Sequence, residues 1–334
     1  MSGALSSAAE WSTLLEPVRP ATDLPRRPDD PRLGEIIECW QGDATALRPG
    51  LAALLGFPQD EGVRRNGGRV GGAEAPREIR RWLHRLTPWD GASGVDLAAD
   101  PPLDLGDLRI TGNLEQTQAD LGRVVAELLK RGLVPVVLGG GHETAYAHFL
   151  GYVGANRPVA AINIDAHLDV RPLLDDRGHS GSPFRQMLEH PTHPLAGYAC
   201  VGAQPGCVAR SHQEFVERRG GTICWNGGCG QLLFEHVMSQ VLRFSRAGQS
   251  VYASMDADAF RAADVPGVSA PNPLGIPGEE ARACARHLGQ SPAVSSFDLV
   301  EINPRFDRDG QSARWAALVI WNFLIGFAQR RTGS

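Results

Sequence analysis

The sequence has no C-x-x-C pair, and its six cysteines, Cys39, Cys200, Cys207, Cys224, Cys229 and Cys284, fall at irregular spacing away from the acidic clusters. That excludes a structural zinc motif and a disulfide scaffold, so free thiols are expected. No stretch approaches the ~18 to 20 apolar residues of a membrane span, and "MSGALSSAAEWSTLLEP" lacks the basic region and apolar core of a secretory leader. No basic surplus marks a nucleic-acid surface either: 33 Lys and Arg stand against 38 Asp and Glu. The expected partners are therefore small molecules, with neither nucleic acid nor membrane, in a reducing cytoplasm. A Walker loop is missing too, since "GGGHE" is not followed by Lys-Ser or Lys-Thr. Its glycines suit tight turning and close packing instead.

What is present is apolar substance in a repeating order. At 42% hydrophobic over 334 residues, the chain can bury a sizeable core. Residues 17 to 34, "PVRPATDLPRRPDDPRLG", read as an extended Pro-rich arm. Residues 1 to 60 are taken as an N-terminal extension and 61 to 334 as a single α/β domain. Helices are expected over 73 to 86, with Ile79, Trp82, Leu83 and Leu86 on the buried side and arginines opposite, and over the segment "QTQADLGRVVAELLKRG", closed by Gly132. Further helical segments fall at 212 to 219 and 278 to 289. Between the helices an apolar strand runs four times into polar residues: "LVPVVLGGGHE", "PVAAINIDAHLDV", "SVYASMDADAF" and "AVSSFDLVEINP". Strands alternating with helices predict a three-layer α/β/α fold around a mostly parallel sheet. Ligands bind such sheets beyond the carboxyl ends of the strands, where all four clusters sit.

Those ends carry His142; Asp165, His167 and Asp169; Asp256 and Asp258; and Glu301. If residues 165 to 169 are extended, their alternate side chains share one face. A solvated loop or a helix cap accounts for any one of these clusters taken alone. Together they place five carboxylates in one crevice, a repulsion that two divalent cations would neutralise. Carboxylate oxygen and imidazole nitrogen without thiolate suit Mn²⁺ best, with Fe²⁺, Co²⁺, Ni²⁺ or Zn²⁺ also compatible and Mg²⁺ less so. Two such ions ~3.5 to 4 Å apart can share a bridging water and hold it as hydroxide, a nucleophile for hydrolysis.

The series "GGGHE", "NIDAHLD", "SMDAD" and "VEINP", in this order from about Gly62 to the C-terminus, resembles the ureohydrolases, the arginase and agmatinase family of two-manganese hydrolases. The resemblance implies an arginase-like fold, two Mn²⁺ per subunit and a homo-oligomer. It implies one ion on His142, Asp165, Asp169 and Asp256, and the other on Asp165, His167, Asp256 and Asp258, with Asp165 and Asp256 bridging. Glu301 would pair with the substrate cation, and Asp169 would carry the proton of the attacking hydroxide to the leaving nitrogen.

"GVRRNGGRVGGAEAPREIRRWL", "GGGHE" and "DVPGVSAPNP" resemble the formimidoylglutamase branch. That implies cleavage of N-formimidoyl-L-glutamate to L-glutamate and formamide in histidine degradation, by hydroxide attack on the amidine carbon. The alternative is a guanidino ureohydrolase, acting on agmatine, guanidinobutyrate or arginine and releasing urea. Ser180-Gly181 stands where arginases and agmatinases carry the His-Gly of their proton shuttle, which leaves His179 as the candidate for that role. Arg171 and Arg185 are the candidates for binding the substrate's carboxylates, with Ser180 a further substrate-binding candidate beside Glu301 for its amidine. A metallophosphoesterase is disfavoured, because the block order is reversed and G-D-x-x-D is missing. A binding subunit would have little reason to keep all six ligand positions.

Overall fold

The computed structural model describes residues 8–18, 27–193, 195–226 and 232–332. Eight strands form a parallel sheet: β1 (Ala52–Phe57), β2 (Leu103–Leu108), β3 (Val134–Gly139), β4 (Val159–Ile164), β5 (Gly197–Ala203), β6 (Thr222–Trp225), β7 (Ser250–Asp256) and β8 (Val294–Val300). They lie in the order β2-β1-β3-β8-β7-β4-β5-β6. Two-residue strands at Leu15–Glu16, antiparallel, and Glu38–Cys39, parallel, both pair with β2.

The apolar runs of these strands follow from burial on both faces. Along β3, Val134, Val136 and Leu138 pack into one half of the core and Val137 into the other. Ala160, Ile162 and Ile164 of β4 likewise oppose Val159 and Ala161. One face is covered by α1 (Ala75–Leu83), α6 (Leu233–Arg246), α7 (Glu280–Gln290) and α8 (Gln311–Thr332). The other is covered by α2 (Leu114–Lys130), α3 (Glu143–Gly154), α4 (Pro183–Leu188) and α5 (Arg210–Arg218). The three-layer α/β/α reading holds. No described helix is long and apolar enough to cross a membrane.

Two expectations need correcting. The boundary at residue 60 does not exist in space: β1 lies between β2 and β3, and Trp11, Leu33, Trp40 and Leu47 are all buried. The Pro-rich arm and a resemblance beginning near Gly62 suggest an extension, but the wholly apolar β1 is part of the sheet. Residues 19–26 of the expected Pro-rich arm lie outside the described residues. In α1, Arg80 is not on the solvent side. Its Nε donates to Asp104 at 2.9 Å, a second ion pair joins it to Asp107, and it is 4% exposed. The pair pins the helix to β2, which helical periodicity alone cannot reveal.

The four strands with polar ends, β3, β8, β7 and β4, are consecutive neighbours in the sheet. Topology therefore delivers their termini to one place.

Candidate metal centre

Each functional side chain enters just past the end of its strand. His142 follows β3 and immediately precedes α3, and Asp256 closes β7. Glu301 follows β8 with φ +66°, and Asp169 has φ +47°. Left-handed backbone at a residue other than glycine costs about 1–3 kcal/mol and is retained where the surroundings enforce it. Both of these residues face the cavity described below.

The triplet converges by a route other than the extended one expected. Strand β4 stops at Ile164, and Asp165 Oδ1 accepts the His167 backbone N–H at 2.7 Å, folding the chain into a turn. The alternation of ligand residues was real, but a side-chain turn and the left-handed Asp169 bring them together.

Two donor groups result. In the first, His142 Nδ1 lies 3.4 Å from Asp165 Oδ2, 2.9 Å from Asp169 Oδ2 and 3.0 Å from Asp256 Oδ2. In the second, His167 Nδ1 lies 3.3 Å from Asp165 Oδ1 and 3.4 Å from Asp258 Oδ1. Asp165 thus turns one oxygen to each group. Asp256 Oδ2 lies in the first group, and its Oδ1 accepts the Asp258 N–H at 2.7 Å, as Asp165 Oδ1 accepts that of His167.

The buried donors aim at common points and not at one another. His142 Nδ1 and Asp258 Oδ1 make no hydrogen bond despite their close neighbours, which is the signature of ligand atoms directed at an ion. Orientation of His142 comes from behind. Its Nε2 lies 3.1 Å from Ser254 Oγ, and Ser254 donates its only hydroxyl proton to Asp298 Oδ1 at 2.6 Å. Ser254 must then accept from His142 Nε2–H, which leaves the Nδ1 lone pair for a metal. The other oxygen of Asp298 accepts from Tyr252 and meets His148 Nδ1 at 2.9 Å.

Electrostatics agree with a dication site. Burial, then the charges of Asp258 and Asp165, push the Asp256 carboxyl well up; burial followed by Asp258 and Glu143 does the same to Glu301, and burial raises Asp258. Burial would also raise Asp165, but His142 and His167 outweigh it and hold it low. Asp258 first, then Asp165, raises His167, while at His142 the three carboxylates overcome a burial cost that opposes its protonation. The cluster calls for positive charge, and divalent ions supply it without protons.

At these groups lies a cavity of about 310 Å³ lined by His167, Asp169, Asp256, Asp258 and Glu301, and also by Asn66, Arg69, Arg171, Ser180 and Ser269. Glu301 Oε1 accepts the His142 backbone N–H at 2.8 Å, fixing that carboxylate at the cavity. Arg171 Nη1 donates to Asn66 Oδ1 at 3.2 Å, and Asn66 Nδ2 donates to Ser180 Oγ at 3.1 Å. Arg69 is anchored by donation to the Ser269 and Val268 carbonyls and lies 4.1 Å over the Phe306 ring.

Of the residues proposed from sequence, Arg171 and Ser180 line the cavity and Arg185 and His179 do not. Arg185 donates to the Val170 carbonyl and stacks 3.9 Å from the Phe215 ring. The His179 ring is spent on backbone: Nδ1 accepts the Gly181 N–H at 3.1 Å and Nε2 faces the Pro172 carbonyl at 3.0 Å. Burial holds its pKa low, and the ring acts as a loop brace. Asn66 and Arg69 were missed as individual residues. Their signal was the Arg- and Gly-rich stretch "GVRRNGGR", which carries no periodicity to assign.

A family model described as the arginase family matches residues 51–326. Formimidoylglutamase of Geobacillus thermodenitrificans is 41% identical over 281 residues, which is 83% of this chain and 84% of the relative. The crystal structure of Trypanosoma cruzi formiminoglutamase with Mn²⁺ superposes with a TM-score of 0.81 at 31% identity, covering 90% of this chain and 100% of that one. Bacillus subtilis formimidoylglutamase superposes at 0.82 with 22% identity, covering 93% and 96%, a likeness of fold alone.

Proposed function

The chain belongs to the arginase family, and we propose that within it this protein is a two-manganese hydrolase cleaving N-formimidoyl-L-glutamate with water to L-glutamate and formamide, a step of histidine degradation. Asp165 carries this reading: its two oxygens face two separate donor groups at the floor of a cavity edged by arginines. One ion would be held by His142, Asp165, Asp169 and Asp256, the other by Asp165, His167 and Asp258. Two divalent ions there would neutralise the crowded carboxylates and activate water near neutral pH.

The residues of the chain supply orientation and proton movement. Glu301, anchored on the His142 N–H, pairs with the substrate amidinium and turns its carbon toward the floor. Asp169 takes a proton from the attacking water and delivers it to the glutamate nitrogen as the C–N bond breaks. The other amidine nitrogen stays on the carbon and leaves in formamide.

Charge at the mouth favours this substrate over the guanidino alternatives. Arg69 and Arg171 suit a substrate with two carboxylates, whereas agmatine would bring an ammonium against them. A reducing cytoplasm suits the five described cysteines, all free thiols. As a test, metal-stripped protein is reloaded with Mn²⁺ and given N-formimidoyl-L-glutamate. Formamide and L-glutamate in equal amounts are expected; no product from protein with both ions bound overturns the reading.

A further inference from the structure

Glu143 follows His142 directly, yet its side chain turns away from the donor groups. It is 1% exposed, and its Oε1 accepts the backbone N–H of Gly62 at 2.7 Å. The approach depends on two glycines. A Cβ on Gly62 would meet Glu143 Cδ at 2.4 Å, and one on Gly141 would meet Glu143 Oε2 at 2.2 Å. From the same peptide segment the chain of bonds continues outward. Gly62 O accepts the Ser180 N–H at 3.1 Å, Ser180 Oγ accepts from Asn66, and Asn66 Oδ1 accepts from Arg171. A buried carboxylate beside a metal-ligand candidate is thus linked, bond by bond, to the cationic mouth of the cavity.

We infer that Glu143 is a positioning residue for substrate recognition: it latches the 60–69 segment, at its short helix Glu61–Arg65, against the β3–α3 turn and so sets Asn66 and Arg171 at the distance a carboxylate-bearing amidine needs. This deepens the proposed function and rests on it for the identity of the substrate. The latch also explains why an unpaired oxygen, Oε2, is tolerated in the interior. Losing the carboxylate would cost less in the fold than in the placement of the loop. The neighbouring bonds bear this out: Arg65 ties the same segment to the Gly178 carbonyl at 2.9 Å, so the loop stays attached without Glu143 but loses its inner anchor.

The experiment compares manganese-loaded wild type, Glu143→Ala and Glu143→Gln for metal content, kcat and KM on N-formimidoyl-L-glutamate. Glu143→Ala should bind both ions and keep kcat within about threefold, while KM rises about tenfold or more, as expected when binding shared by ground and transition states is removed. Glu143→Gln keeps an acceptor for Gly62 and should hold KM within about twofold of wild type. An unchanged KM in Glu143→Ala, loss of metal, or equal damage in both variants overturns the latch.

If Glu143→Ala does not fold, Asn66→Ala carries the test: the same rise in KM supports the chain of bonds, and an unchanged KM overturns it. If wild type leaves the substrate intact, the proposed function fails separately. The latch is then judged by amide hydrogen exchange. Exchange at Gly62 should be about tenfold faster or more in Glu143→Ala, and equal exchange overturns it.

Discussion

His142 presents its Nε2 to Ser254 Oγ at 3.1 Å, and Ser254 in turn gives its proton to Asp298. This fixes which imidazole nitrogen faces the donor cluster. Ser254→Ala should leave the fold intact and weaken manganese binding about 10- to 100-fold, the usual cost of removing a partner that orients a ligand. Titration calorimetry with Mn²⁺ reads this directly. Unchanged affinity would mean the tautomer is set by something else.

Asp165 and Asp256 should separate in their effects. Asp165 turns one oxygen to each donor group, whereas Asp256 Oδ2 faces the first. Asp165→Ala should bind almost no manganese, and Asp256→Ala should retain about one ion per chain, held by Asp165, His167 and Asp258. Metal analysis of the purified variants decides it. Equal loss of both ions from the two variants would restore Asp256 as a bridge.

Arg171 and Arg185 should also differ. Arg171→Lys loses the planar fork that the cavity mouth offers to a carboxylate and should raise KM about 3- to 10-fold with little change in kcat. Arg185→Ala should leave both constants near wild type, because its guanidinium is engaged with Val170 and Phe215. Steady-state kinetics on both variants distinguishes the mouth from the surface. A rise in KM for Arg185→Ala alone would reverse the assignment.

His179 should prove to be a brace. His179→Ala should keep kcat within about threefold and lose about 1–2 kcal/mol of stability at pH 7.5, since it leaves two backbone groups without their partner. The pH dependence has a definite sign. The folded-state pKa is lowered by burial, so below the ordinary value near 6.5 the unfolded chain binds the proton first. Stabilisation by the ring is complete above that pH and fades as pH falls. The gap in Tm between wild type and variant should therefore narrow at pH 5. A kcat loss of about 100-fold or more would instead make His179 the proton carrier.

The sequence was most readable where burial dictates residue type. β3, β4, β7 and β8 announce themselves as apolar runs that break into polar residues, and the structure brings the six metal-ligand candidates into two adjacent groups. Less readable was anything set by a single hydrogen bond. The Asp165 turn replaced an extended triplet, and the like turn in which Asp256 caps the Asp258 N–H has no periodicity to announce it. Neighbours in sequence misled at Arg185 and His179, whose side chains turn back onto the loop's own backbone. Asn66 and Arg69 come from a segment about 100 residues away from Arg171, and only the fold brings those loops together. Arg80 looked like surface charge because its partners lie on a strand, outside its own helix.

The most direct measurement is product identity. Manganese-loaded protein is given N-formimidoyl-L-glutamate, agmatine, 4-guanidinobutyrate and L-arginine side by side, with formamide and urea both assayed. Formamide from the first compound and no urea from the other three is the predicted result. Urea from any guanidino compound at a higher kcat/KM would contradict the account, since the arginine-edged mouth would then not be selecting a dicarboxylate.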